Sequence, residues 1–116
     1  MRIKPVNARV RIRLGDTVLA DSSRAIRLLE VGKDFYDPMI YVPPQDVAVT
    51  LEPVANRTSH CPLKGDASYL GFAGWTPQHA NDYLAWSYAD PLGFARELAG
   101  LIAFNPGHVA IEEIPG

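Results

Sequence analysis

Residues 9–20 read RVRIRLGDTVLA, and this stretch decides the expected fold class. Val10 and Ile12 alternate with arginines, which is the period-two pattern of a strand that has one buried face. Residues 15–16 (Gly-Asp) form a two-residue turn signal, and residues 17–20 give the returning strand. The stretch therefore predicts a β-hairpin in a mainly β protein.

The arginines of this hairpin belong to a basic N-terminal segment that has two interpretations. Five basic residues precede the first acidic one, Asp16: Arg2, Lys4, Arg9, Arg11 and Arg13. A basic arm can bind phosphate groups. The alternative is the solvated face of a strand, which the alternation with apolar residues favours. We therefore expect no nucleic-acid partner.

The rest of the chain reads as short strands separated by turn residues, with one helix. Together with the hairpin, the pattern gives about eight strands. The further strand candidates are residues 26–31, 39–42, 47–51, 67–73, 81–88 and 109–114, and residues 54–65, which lack periodicity, read as a loop. Asp90 and Pro91 give a helix start signal. An apolar stripe follows at helical spacing, formed by Phe94, Leu98, Leu101 and Ile102.

These elements predict a mainly β (α+β) fold. It is a small curved or partly closed antiparallel sheet of about eight short strands, with one helix from the C-terminal half packed on it. The 116 residues, 47% of them hydrophobic and 21% charged, suit a single domain over residues 1–116, in which residues 1–8 form an N-terminal arm.

The composition also bears on location and partners. The net charge of -2 gives no general attraction to nucleic acid or membrane. No apolar run approaches the roughly 20 residues that cross a bilayer, and the first residues lack the apolar region of a signal peptide. The single cysteine, Cys61, cannot form an internal disulfide. We expect a cytoplasmic protein with no membrane partner.

Two strings of residues carry a family resemblance. HCPLKGDASY at residues 60–69, followed by WSYADP at residues 86–91, resembles a bacterial family catalogued as domain of unknown function number four-two-seven, which also has a nucleotidyltransferase-type label. Residues 20–24, 41–43 and 46–47 support it, and the resemblance covers residues 9–104. It implies a small, mostly β domain, of the open folded-sheet type also seen in some zinc-binding chaperone-like proteins. The aromatic residue that the family has after Tyr69 is replaced here by Leu-Gly.

Metal-dependent chemistry finds little support in the residues. Nucleotidyl transfer normally uses clustered carboxylates to hold divalent metals, and the chain has no Asp-x-Asp pair. Glu112 and Glu113 are adjacent on a strand and so point to opposite faces. His60, His79 and His108 lack ligand spacing and read as unrelated surface or loop histidines. We predict no metal, no cofactor and no nucleotidyltransferase activity.

Cys61 is the candidate nucleophile. His60 and Lys64 would favour its thiolate by placing positive charge nearby, and a Cys-Pro-x-Lys-Gly turn can direct backbone N–H groups and the Lys64 ammonium at an anion. The alternative is a buried cysteine that acts as a small apolar side chain.

A ligand pocket is the second candidate site. The rings of Tyr69, Trp86 and Tyr88 would line it, or else belong to the core. Arg24 would face an anion there, or else form a local ion pair with Asp21.

The first functional hypothesis is therefore a domain that binds a small anionic or planar ligand near the HCPLKG string. The alternatives are an enzyme that uses Cys61 in thiol chemistry, and a protein-interaction module or homodimer.

Overall fold

The computed structural model describes residues 2–29, 39–61, 65–72, 75–77 and 82–115. Within them the chain forms ten strands and two short 3-10 segments. The strands are β1 (Arg2–Pro5), β2 (Arg9–Leu14), β3 (Thr17–Ser22), β4 (Ile26–Leu29), β5 (Met39–Val42), β6 (Leu51–Cys61), β7 (Gly65–Phe72), β8 (Ala85–Tyr88), β9 (Ile102–Phe104) and β10 (Ala110–Ile114), and the 3-10 segments are Pro44–Asp46 and Gly93–Leu98.

The strands form two open antiparallel sheets. The larger has seven strands in the order β1-β4-β5-β9-β8-β7-β6, and the smaller has three in the order β10-β2-β3. Apolar side chains of both sheets share one buried cluster, which includes Ile12 and Leu19 from the small sheet and Val42 and Phe104 from the large one. We call the side of the large sheet that packs on the small sheet its inner face.

The outer face of the large sheet has its own cover, the second 3-10 segment. Ala95 and Leu98 of this segment are fully buried in a second cluster, together with Leu28, Tyr41 and Ala103 of the sheet. The sheet is therefore packed on both sides, with a full layer on one face and a short segment on the other.

The prediction of a mainly β fold is confirmed, and the prediction of a C-terminal-half helix is wrong. Gly93 and Gly100 have φ angles of 49° and 73°, in the left-handed region that interrupts an α-helix. Ile102, placed on the predicted helical stripe, belongs to β9 and pairs with Val42 and Ser87 instead. The long-range pairing of the sheet overrides the local helical pattern. Leu98 still covers the sheet, from a 3-10 segment.

The predicted loop over residues 54–65 is also wrong, because most of it lies in β6, the edge strand of the large sheet. Its pairing with β7 changes register between Pro53 and Thr58, and this irregularity removes the alternation that marks a strand in sequence. The strand predicted over residues 47–51 is replaced by a bridge between Val47 and Ala20, before β6 begins at Leu51.

The predicted hairpin at residues 9–20 is present, and its turn residue Gly15 has a φ angle of 59°. Its arginines contact carboxylates of the same small sheet: Arg9 Nε donates to Asp21 at 2.6 Å, and Arg13 Nε donates to Glu112 at 2.6 Å. The guanidinium of Arg9 lowers the pKa of Asp21. These contacts support the solvated-face interpretation of the arginines.

The first residues of the chain join the large sheet, since β1 pairs with β4. Among the described residues, no helix is long and apolar enough to span a membrane.

Candidate ligand site

A transverse row of residues crosses the large sheet on its outer face. Tyr69 of β7 pairs with Trp86 of β8. Trp86 also pairs with Ala103 of β9, which in turn pairs with Tyr41 of β5. Directly paired residues of neighbouring strands hold their Cβ atoms about 5 Å apart. The register therefore gathers three aromatic side chains along one line, with a small residue between two of them.

The indole of Trp86 is held in place across this small residue. Its Nε1 donates a hydrogen bond to Tyr41 Oη at 3.2 Å, and the two rings meet edge to face with their centroids 6.4 Å apart. Ala103 lies between their strands and has only a methyl group, so the rings can meet above it. Tyr41 itself is buried, with 1% exposure. The orientation of Trp86 is thus fixed from inside the protein.

Tyr83 completes the cluster from the segment before β8. Its ring centroid lies 4.6 Å from that of Tyr69 and 5.8 Å from that of Trp86. Its backbone is held at both ends: the N–H donates to Asp82 Oδ1 at 2.9 Å, and the carbonyl accepts from Asn105 Nδ2 at 3.1 Å. All three rings are partly exposed. We call Tyr69, Tyr83 and Trp86 the aromatic surface.

Tyr88, the third predicted ring, belongs to the core. It is 6% exposed and lies in the outer-face cluster with Leu98 of the second 3-10 segment. Tyr88 also pairs with Ala67, the residue two positions before Tyr69. The two remaining predicted rings, Tyr69 and Trp86, are therefore the ones that reach the surface.

The two sequence strings meet at the end of the β6–β7 hairpin. Cys61 pairs with Gly65, and His60 pairs with Asp66. Gly65 has a φ angle of 105°, and a Cβ placed there would lie 3.4 Å from the carbonyl oxygen of Asp90 and 3.5 Å from Leu92 Cγ. The hairpin end therefore packs beside the residues that follow β8.

The reactive groups of the first string stay predictions. Lys64 lies outside the described residues, and only the backbone of His60 and Cys61 is described.

Arg24, the predicted anion ligand, lies elsewhere. Its Nη2 donates to Asp46 Oδ1 at 3.0 Å, so the predicted ion pair with Asp21 is wrong. Ser22, which is buried, donates to Asp46 Oδ2 at 2.7 Å and accepts the backbone N–H of Arg24 at 3.0 Å. Arg24 and Ser22 together lower the pKa of Asp46.

Arg24 and the aromatic surface are also separated by the width of the sheet. Arg24 precedes β4, and four strand spacings divide β4 from β7, which carries Tyr69. This is about 19 Å at about 4.8 Å per strand. The predicted site residues therefore fall into two groups that a small ligand cannot contact together.

A largely buried contact between a histidine and an aspartate was missed in the sequence. His108 Nε2 lies 2.5 Å from Asp82 Oδ1, with side-chain exposures of 14% and 3%. His108 lies in the turn before β10, and its contact with Asp82 was not predicted from the sequence. The two residues are 26 positions apart, and no local pattern joins them. Among the described residues, no group of three or more His, Cys, Asp and Glu side chains could hold a metal ion.

A groove beside this pair was missed as well. It has a volume of about 170 Å³ and is lined by Glu52, Pro53, Val54, Gly71, Phe72, Trp75 and Pro77. Trp75 is one of the lining residues, and its ring meets the His108 ring edge to face at a centroid distance of 6.0 Å. None of the predicted site residues whose side chains the structure describes lines this groove.

The family of the chain follows from a comparison with family models. The model described as a domain of unknown function (DUF427) matches residues 2–114. The chain belongs to this family. The resemblance carried by the two strings is thereby confirmed, together with the nucleotidyltransferase-type label of the family model. No curated protein matches the chain.

Proposed function

We propose that this protein binds a small anionic ligand with a planar group, and that the planar group stacks on the aromatic surface. The observation that carries this proposal is the direct pairing of Tyr69 with Trp86, with Tyr83 in contact with both rings and all three partly exposed. Flat rings that reach solvent offer a stacking face to any planar group.

Preorganisation supports this role. The hydrogen bond from Trp86 to Tyr41 and the two backbone contacts of Tyr83 fix the rings before a ligand arrives. A surface that is already ordered loses less conformational entropy on binding. An ordinary core aromatic would instead be covered, as Tyr88 is by the second 3-10 segment.

The neighbouring hairpin suggests the charge of the ligand. Gly65 and Tyr69 are four residues apart on β7, a distance of about 13 Å at about 3.3 Å per residue. Lys64 precedes Gly65, so its ammonium would meet an anionic group at some distance from the stacked ring. The expected ligand is therefore elongated, with a planar group at one end and a phosphate or carboxylate towards the other.

The test is a thermal-shift series with matched probes. A ligand that binds the folded state raises the melting temperature. We expect adenosine monophosphate or flavin mononucleotide to do so more than ribose 5-phosphate, which lacks the ring, or adenosine, which lacks the charge. Tyr69→Leu should weaken binding by about 1–2 kcal/mol, or about fivefold to thirtyfold.

The control variant changes the second tryptophan, Trp75. Trp75→Phe changes an aromatic residue that is not part of the aromatic surface, and it should bind as the wild type does. The proposal fails if no planar anion stabilises the protein, or if the stabilisation is the same in Tyr69→Leu.

A further inference from the structure

The groove at Trp75 is a second site, independent of the aromatic surface. We infer that it binds a small organic cation, a quaternary or alkyl ammonium group, between the indole of Trp75 and the carboxylate of Glu52. Three features of the groove lead to this ligand class: its walls, its charge and its size.

The walls of the groove are aromatic and apolar. Trp75 and Phe72 contribute rings, and Pro53, Val54 and Pro77 contribute aliphatic surface. The indole face is the strongest of the aromatic side chains in attracting a cation, and the attraction grows when the cation loses water. An ammonium group that carries methyl or methylene groups can contact both kinds of wall, because its charge is attracted to the rings and its carbon atoms pack on the aliphatic surface.

The charge of the groove favours a positively charged ligand. Among the described residues that line the groove, Glu52 carries a charge and no residue is a cation. Glu52 pairs directly with Gly71 across β6 and β7, which places it beside the residue on which Trp75 rests. A carboxylate next to an indole face complements an organic cation and repels an anion.

Trp75 is held in position for this contact. Its backbone N–H donates to the carbonyl of Phe72 at 3.0 Å, and its side chain packs against the inner-face cluster. A Cβ at Gly71 would lie 2.9 Å from Trp75 Cε3, so the ring rests directly on a position that has no side chain. His108 meets the indole from another direction. The wall is therefore fixed before a ligand arrives.

The size of the groove suits a small ligand. Its volume of about 170 Å³ is below the roughly 300–1,000 Å³ of sites for drug-sized molecules. A single ammonium head group with a short chain is the matching size class.

The experiment follows the indole N–H signals of the protein in nuclear magnetic resonance spectra during titration with choline. The chain has two tryptophans, so Trp86→Phe assigns the two signals and leaves Trp75 as the reporter. If Trp86→Phe does not fold, Trp75→Phe makes the same assignment by removing the Trp75 signal, and the wild type is then titrated. We expect a saturable shift of the Trp75 signal, with a dissociation constant of about a millimolar. The uncharged analogue 3,3-dimethylbutan-1-ol, in which carbon replaces the nitrogen, should bind about tenfold more weakly.

Three variants sharpen the result. Glu52→Gln should weaken choline binding by about fivefold to tenfold, whereas Glu97→Gln, an exposed carboxylate outside the groove, should leave it unchanged. Gly71→Ala should move the Trp75 signal of the free protein and weaken binding, because the added methyl group displaces the ring. Equal binding of the two analogues, no effect of Glu52→Gln, or no saturable shift would each overturn the inference. Trp86→Phe removes part of the aromatic surface, so a retained Trp75 response separates this site from the one proposed above.

Discussion

The β2–β3 hairpin and the β6–β7 hairpin differ in what they contribute to the molecule. The first has a two-residue turn at Gly15, a buried face that includes Ile12, and arginines already paired with carboxylates. The second is longer, lies at a sheet edge and contributes to both candidate ligand sites. Both pairings shift register, the first between Ile12 and Arg13 and the second over a longer stretch between Pro53 and Thr58, and we call them the regular and the irregular hairpin. The arginines of the regular hairpin are paired with carboxylates of the small sheet, whereas the irregular hairpin contributes rings and a groove to the candidate ligand sites. The comparison predicts that changes in the first act on stability and changes in the second on binding.

The largest expected effect is the removal of a core side chain from the regular hairpin. Ile12 has 0% exposure, and Ile12→Ala should reduce the free energy of unfolding by about 3 kcal/mol. The matched change in the irregular hairpin, Leu70→Ala, should cost about 1–2 kcal/mol, because Leu70 is partly exposed. Urea denaturation of both variants measures the difference. Equal losses would contradict the division of roles between the hairpins.

The next effect concerns the glycines at the two hairpin ends. Gly15 and Gly65 have φ angles of 59° and 105°. Gly15→Ala should cost about 1 kcal/mol, because alanine tolerates the left-handed region with modest strain. Gly65→Ala should cost about 2–3 kcal/mol, because its φ lies further from any region that alanine populates.

The same two variants also test whether the end of the β6–β7 hairpin packs beside the residues that follow β8. Gly65 touches the residues after β8, so only Gly65→Ala should change the fluorescence of Trp86, through the end of that strand. A fluorescence change in Gly15→Ala of the same size would show that the effect is not local.

The two hairpins also explain how much the sequence could predict. In residues 9–12 the period of two agrees with the burial, residues 15–16 form the predicted turn, and the hairpin was correctly predicted. In β6 the shifted register hides the alternation, so a strand reads as a loop. The apolar spacing after Asp90 is typical of a helix. In the structure, however, Ile102 lies in β9 and pairs with residues of β5 and β8. Local patterns fail where distant strands compete for the same residues.

The candidate sites follow the same rule. Tyr69 and Trp86 were found because each lies in a distinctive string, and their direct pairing is a property of the register between β7 and β8. The Trp75 groove and the Asp82–His108 pair join residues that are far apart in sequence or ordinary in type. Their convergence depends on the tertiary fold, which no single-sequence pattern encodes.

A smaller effect is expected from Asp46, which ties the end of the regular hairpin to the first 3-10 segment. Asp46→Asn removes the charge that Ser22 and Arg24 stabilise, and should cost about 1 kcal/mol at pH 7. The pKa of Asp46 is lowered in the folded state, so the folded protein binds its proton less readily than the unfolded chain. The stabilisation is therefore complete above about pH 4 and is lost as the pH falls through the lower folded pKa. Chemical denaturation of both proteins between neutral and acidic pH should show the difference shrinking, and a constant difference would rule out this origin.

The smallest effect is expected at the arginines that first suggested a phosphate-binding arm. Arg9 and its partner Asp21 are well exposed on the small sheet, where solvent and salt screen an ion pair. Arg9→Ala should therefore leave the urea midpoint unchanged within error, at both low and high salt.

The same variant separates the two interpretations of the basic segment. If the arginines form a solvated strand face, retention on a heparin column should fall by no more than the loss of one charge explains. The control is Arg96→Ala, which removes an exposed arginine of the second 3-10 segment. A much larger loss of retention for Arg9→Ala would mean that the regular hairpin also binds a ligand, and the contrast between the two hairpins would no longer hold.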